Sequence, residues 1–142
     1  MNKWRDRFLE MTTLIGSWSK DDSTKVGAVI TDAKNRVISI GFNGFPHGVK
    51  DGETDRSERL RRTCHAEVNA ILFAKQDLDG YSLYVSHPPC SQCTAKLIQA
   101  GIKTVHYYEG RHDFIERWKE DLDSSEAMMT EAGVQFFKVA RP

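Results

Sequence analysis

The chain has 142 residues, 39% hydrophobic and 28% charged, which suits one globular domain over 1–142 with a real core and leaves no room for a second. Lys+Arg and Asp+Glu balance at 20 each, and the only basic run, Arg56 to Arg62, is broken by Glu58, so a polynucleotide partner is not expected. No apolar run nears the ~20 residues of a membrane span, the start Met1-Asn2-Lys3-Trp4-Arg5-Asp6 is unlike a signal peptide, and three cysteines suit a reducing compartment, so the expectation is a cytoplasmic protein without a membrane partner.

Trp4, Phe8, Met11, Ile15 and Trp18 recur with the spacing of one apolar helical stripe, which predicts an amphipathic helix and assigns these tryptophans, with Trp118 further on, to core packing. Ser17 to Lys25 is polar and turn-like. Val26 to Thr31 and Val37 to Phe42 read as strands, and the short connection Asp32-Ala33-Lys34-Asn35 makes them an antiparallel hairpin. From Asn43 to Arg62 the chain is rich in glycine, aspartate and charge, the longest irregular stretch and of a length that usually serves a function.

A helix opening at His65 carries Val68, Ile71, Leu72 and Lys75 and ends before Asp77. Tyr81 to Ser86 follows as a strand, Ser91 to Ala100 as a helix stopped by Gly101, and Thr104 to Tyr108 as a strand, which together predict a parallel unit with a right-handed crossover. His112 to Ala132 reads as helix with Phe114, Ile115, Trp118 and Leu122 on one side and a restart at Asp123-Ser124-Ser125-Glu126; Val134 to Val139 is a last strand. The fold class is therefore α/β, a five-stranded mixed sheet between helices, with its site at the carboxyl ends of strands.

The chemistry concentrates between Thr63 and Ala95. His65, Cys90 and Cys93 are ligand types that Zn²⁺ prefers, and three protein ligands leave a coordination position open. Cys90 and Cys93 share a helical face just after Pro88-Pro89, a helix start, whereas His65 and Glu67 can share a target only off the N-terminal end of their helix. Two helix N-termini then converge, and their partial positive charge favours thiolate. Glu67 is surplus to the ligand set and placed to move protons. A Cys-x-x-Cys alone would equally suit a redox pair, or a structural zinc site with Cys64 as fourth ligand; the joint pattern favours a catalytic metal. His47, His87, His106 and His112 carry no ligand signal and are expected at the surface or partly packed.

The sequence resembles the zinc-dependent cytidine deaminase superfamily, and within it the deoxycytidylate (dCMP) deaminases. The resemblance lies in Cys64-His65-Ala66-Glu67-Val68-Asn69-Ala70-Ile71, Pro89-Cys90-Ser91-Gln92-Cys93 and Gln99-Ala100-Gly101-Ile102-Lys103, and upstream in Val26-Gly27-Ala28-Val29 and Gly41-Phe42-Asn43-Gly44-Phe45-Pro46. It runs through nearly the whole chain. It implies an αβα sandwich, one catalytic Zn²⁺ per subunit on His65, Cys90 and Cys93, and hydrolytic deamination of dCMP to dUMP with release of ammonia, supplying dUMP for thymidylate synthesis. Glu67 would carry the proton to N3 and then to the leaving amine. Asn43 would bind sugar and base, Ala66 would offer a backbone N–H near the base, and Val26 with Ser23, Thr24 and Lys25 would border the site.

A 5′-phosphate requires cations or donors one nucleotide length from the metal. Lys25 and Arg111, both at strand ends bordering one cleft, are the chosen pair, with Arg59, Arg61 and Arg62 next. The resemblance further implies a homohexamer activated by dCTP with Mg²⁺ and inhibited by dTTP, through a site to which the Gly44 to Asp55 loop, with Gly44 and Lys50, would contribute. Two related activities compete: tRNA adenosine deamination, disfavoured by charge balance and by Ser23-Thr24-Lys25 where that family approaches its strand through hydrophobic residues and proline, and free cytidine deamination, disfavoured by the Asn43 to Pro46 motif and the long insertion before His65. A non-catalytic zinc module is a third reading, weakened because His65, Glu67, Cys90 and Cys93 are all present.

Overall fold

A computed structural model describes residues 2–52 and 55–142. Helix α1 (Lys3–Gly16) starts where the Asn2 side chain accepts a hydrogen bond from the Arg5 N–H. Strands β1 (Gly27–Thr31) and β2 (Val37–Phe42) form the expected antiparallel hairpin, Ala28 opposite Gly41, with Asn35 at its turn in a left-handed conformation (φ 59°). Then follow α2 (Arg56–Arg62), α3 (Ala66–Ala74), β3 (Ser82–Val85), α4 (Ser91–Gln99), β4 (Thr104–Tyr108), α5 (His112–Arg117), α6 (Lys119–Ala132) and β5 (Gln135–Val139).

The five strands form one mixed sheet in the order β2-β1-β3-β4-β5, antiparallel on the hairpin side and parallel from β3 to β5. Alternation along the strands separates two cores. Ala28, Ile30, Leu83, Val85 and Val105 face α3, α4 and α6, where Ala66, Ala70, Leu97 and Met129 meet them. Val29, Tyr84 and Tyr108 face Phe8, Leu9 and Ile15 of α1. On that second face a stacked ladder crosses three strands: Tyr84 on His106 at 4.8 Å between ring centroids, and His106 on Phe137 at 4.9 Å.

Two glycines let helices reach the sheet at backbone distance. A Cβ on Gly27 would lie 2.0 Å from the Thr12 carbonyl oxygen of α1, and one on Gly41 would lie 2.5 Å from both the Ala66 carbonyl oxygen and the Ala70 nitrogen of α3. Gly41 thus sets how closely the helix that follows His65 lies on β2.

Several sequence-based expectations are corrected. The buried line of α1 is Phe8, Leu9, Thr12, Ile15 and Gly16, and the helix stops before Trp18. Trp4, Trp18 and Trp118 are 40%, 51% and 48% exposed, so none is a core residue. The Asn43 to Arg62 stretch is not wholly irregular, because α2 forms at its end, capped by the Asp55 side chain and laced by Glu58 to Arg61 and Arg62. The break in the last helical region falls at Trp118 rather than Asp123, since Trp118 leaves helical dihedrals (φ −108°, ψ 16°). His106 is buried, not superficial.

Candidate active site

His65 is the N-cap of α3 and Glu67 lies in that helix's first turn; Cys90 is the N-cap of α4, and its sulfur accepts the Cys93 N–H at 3.5 Å. The two N-termini converge as the spacing requires. His65 Nδ1 is 3.2 Å from Cys93 Sγ and 3.6 Å from Cys90 Sγ, and the three ligand atoms all lie within 4.8 Å of one another. His65 is exposed, Cys90 half-buried and Cys93 buried, so the triad has one open side. Cys64 offers no ligand atom to this group; its backbone is bridged to Gly44 in both directions, at 2.8 and 3.1 Å, joining the Phe42-Asn43-Gly44 segment to the metal-binding segment.

The electrostatics match the geometry. The Cys90 thiol is drawn down to about 4 by the Cys93 thiol and by His65, while the bond to Cys90 and burial push Cys93 well up. The hydrogen bond with Cys90 and the Glu67 carboxylate raise His65. Three donors crowded around a shared proton, one of them drawn toward thiolate, are a set that a divalent cation satisfies, and one imidazole with two sulfurs suits Zn²⁺. Glu67 is 4% exposed, and burial pushes its carboxyl up to about 7, where it can both take and give a proton.

Asn43 is buried beside this centre with its amide committed to the backbone: Oδ1 accepts the Val26 N–H at 2.9 Å and Nδ2 donates to the Thr24 carbonyl at 2.9 Å. One Nδ2 hydrogen and one Oδ1 lone pair remain. Ala66, first residue of α3, is fully buried. The Ser23 and Thr24 amides both donate to Asp21 Oδ1, which leaves only their hydroxyls for another partner, and Lys25 Nζ donates to the Ser19 carbonyl at 2.6 Å.

Lys25 lies just before β1 and Arg111 beyond the end of β4. Arg111, the N-cap residue of α5, instead groups with Arg141, which the sequence reading did not single out. Arg141 donates from Nε to the Glu109 carbonyl at 2.7 Å and from Nη2 to the Ser86 carbonyl at 3.1 Å. The two guanidiniums, after burial, hold His87 down to about 4. Only its fold-back across the ends of β3 and β4 reveals Arg141; nothing local in the sequence marks it.

A cavity of about 1020 Å³ lies on the Asn43 side of the site, lined in part by Asp21, Asn43, Gly44, Asp51 and Arg59 and by none of His65, Glu67, Cys90 and Cys93. Gly44 therefore borders it while Lys50 does not, and residues 53 and 54 of the Gly44 to Asp55 loop lie outside the described residues. Arg61 and Arg62 instead pair with Glu58.

Residues 2–109 match the cytidine and deoxycytidylate deaminase zinc-binding region. The chain is 53% identical over 137 residues to a protein of Aliivibrio fischeri named "uncharacterized deaminase in luxG 3'region", covering 95% of this chain and 92% of that one. It is 34% identical over 146 residues to the deoxycytidylate deaminase of Mus musculus, covering 96% of this chain and 79% of that one. In structure it resembles the dCMP deaminase of cyanophage S-TIM5 in complex with dCMP and dUMP, with a TM-score of 0.75, 25% identity, and coverage of 98% and 99%.

Proposed function

The chain belongs to the cytidine and deoxycytidylate deaminase zinc-binding family, and from that premise we propose that it hydrolyses the 4-amino group of dCMP, giving dUMP and ammonia. The observation that carries the chemistry is the convergence of His65, Cys90 and Cys93 beside a buried carboxyl, Glu67. The substrate rests on the mouse and cyanophage relatives, both dCMP deaminases.

His65 Nδ1 and the two sulfurs would hold Zn²⁺. When bound, the metal supplies the Lewis acidity that makes water acidic near neutral pH. Glu67 would take one proton from the attacking water and pass it to ring N3, then move the proton of the resulting C4 hydroxyl to the amino group, which leaves as ammonia while the C4 oxygen becomes the carbonyl of dUMP. Burial, which raises Glu67, suits a carboxyl that must carry a proton. The backbone N–H of Ala66, in a first helical turn where amides lack intrahelical partners, would serve the base. Asn43, fixed by Thr24 and Val26, uses its remaining hydrogen and lone pair on the nucleoside. Lys25 and Arg111 serve the 5′-phosphate, and Arg141 joins them because two arginines, with no carboxylate partner among the described residues, stand beside Ser86 and His87, next to the ligand loop.

Regulation by dCTP with Mg²⁺ and by dTTP, a homohexamer, a cytoplasmic location and a role in supplying dUMP for thymidylate synthesis belong to the same proposal. The cavity beside Gly44 has both the volume for a nucleotide and carboxylates, Asp21 and Asp51, that suit a hydrated Mg²⁺. Among the described residues no helix is long and apolar enough to cross a membrane. Parallel assays on dCMP, deoxycytidine and a tRNA anticodon hairpin test the substrate: turnover confined to dCMP is expected, and preference for either rival overturns it. Zinc content without turnover on any of them would favour a non-catalytic module. Hyperbolic dCMP kinetics unmoved by dCTP or dTTP would remove the regulatory part.

A further inference from the structure

Helix α6 grips the ligand loop on both sides of Cys90. Asp121 accepts two hydrogen bonds from Ser91, the residue after Cys90: the backbone N–H at 2.9 Å to Oδ2 and the hydroxyl at 2.6 Å to Oδ1. One turn further along α6, the buried Ser125 hydroxyl donates to the carbonyl of Pro89, the residue before Cys90, at 3.1 Å. Residues four apart on a helix share a face, so both contacts come from one rigid edge. The carboxylate bonds are charge-assisted, the stronger class of hydrogen bond, and Ser91 is the first residue of the helix that also carries Cys93.

We propose that Asp121 is a positioning residue for the metal centre, with Ser125 as its second point of attachment. By fixing the peptide groups before and after Cys90 it fixes the direction of that residue's Cα–Cβ bond, and by anchoring the first turn of α4 it sets the distance from Cys90 to Cys93. A ligand pair held this way loses less freedom when a cation binds, so the clamp contributes affinity without touching the metal. Asp121 lies 30 residues from Ser91 in sequence, and Ser91 would otherwise pass as an ordinary N-terminal helix residue. The inference rests on the zinc reading of His65, Cys90 and Cys93.

The test measures metal binding rather than turnover, by competition for Zn²⁺ against a chromophoric chelator and by the absorption of the Co²⁺-substituted protein, whose thiolate charge-transfer and ligand-field bands report ligand geometry. Asp121→Ala should lower zinc affinity about ten- to a hundredfold and shift the Co²⁺ bands. Asp121→Asn, which keeps the shape and one acceptor, should fall between, and decides the matter if the alanine variant does not fold. Ser91→Ala combined with Asp121→Ala should be no weaker than Asp121→Ala alone, because Asp121→Ala already removes both bonds to Ser91, the hydroxyl's among them. Asp123→Ala, on the same helix but paired only with Lys119 at the surface, should bind like the parent. Parental affinity and spectrum in both Asp121 variants would overturn the clamp, as would an equal loss in Asp123→Ala. A parent that gives no thiolate–Co²⁺ spectrum would overturn the zinc reading and the clamp with it.

Discussion

His106 lies flat against Tyr84, ring planes 8° from parallel, with its Nδ1 buried and, among the described residues, without a hydrogen-bond partner. Burial, then the charge of Arg5, hold its imidazole down to about 4 from an ordinary 6.5. The unfolded chain therefore takes up a proton below pH 6.5 that the folded chain refuses until about pH 4. Stability from this residue is complete above 6.5 and is lost as pH falls toward 4, by on the order of 3 kcal/mol. Urea unfolding of the parent and of His106→Phe at pH 7, 6 and 5 should show the parent weakening faster. Equal pH dependence in the two proteins would remove this account; His87 and Glu67 titrate in both and cancel.

Glu67→Ala should keep its zinc and lose at least ~10²-fold in dCMP turnover, because one carboxyl serves successive proton transfers. Metal analysis and single-turnover kinetics on the same sample separate the two effects. Deamination at the parental rate would refute the shuttle.

Lys25→Ala, Arg111→Ala and Arg141→Ala should each raise the KM for dCMP, roughly ten- to a hundredfold where a charge-assisted bond worth ~1.5–3 kcal/mol is lost. Zinc content should not change. Because Lys25 also ties to the Ser19 carbonyl and Arg141 to Ser86 and Glu109, thermal unfolding of these two variants should be recorded beside the kinetics. If all three handle dCMP like the parent, the phosphate is held elsewhere, with Arg59, Arg61 and Arg62 the next to change.

Gly41→Ala tests the seating of α3. The new methyl would meet the Ala66 carbonyl and the Ala70 amide, both backbone, at 2.5 Å. Helix or strand must shift, at a cost of about 1–3 kcal/mol or more. Because Ala66 and Glu67 ride on that helix, activity should fall together with the melting temperature. Unchanged melting would show that α3 does not depend on this contact.

The metal centre was legible because its signal is chemical: His65, Cys90 and Cys93 are unusual residue types at helix starts, and Pro88-Pro89 marks one of those starts. The hairpin and the parallel unit were legible from alternation and turn residues. Helix α2 was not, since Arg56 to Arg62 has no apolar period and is supported by Asp55 and by Glu58 with its arginines. Trp18 misled because a run of correct spacings was carried past Gly16, where α1 ends; Trp4 sits in the exposed first turn of α1, and Trp118 at the break between α5 and α6. Asp121 and Arg141 act only through tertiary contacts, which leave no local pattern to read.

The sheet has one seam, where the hairpin strand β1 pairs antiparallel with β3, Ala28 opposite Val85. On either side, β1 meets β2 and β3 meets β4 through short-range connections, whereas the seam joins segments separated by all of α2 and α3. Closing so long a loop costs chain entropy before any contact repays it, so this seam carries the largest closure cost of the strand pairings described. His65 lies within that loop, and Cys90 and Cys93 lie beyond β3. A nascent chain that has emerged only as far as α3 carries His65 and Glu67 but neither Cys90 nor Cys93, so the proposed chemistry would wait until the two halves have met.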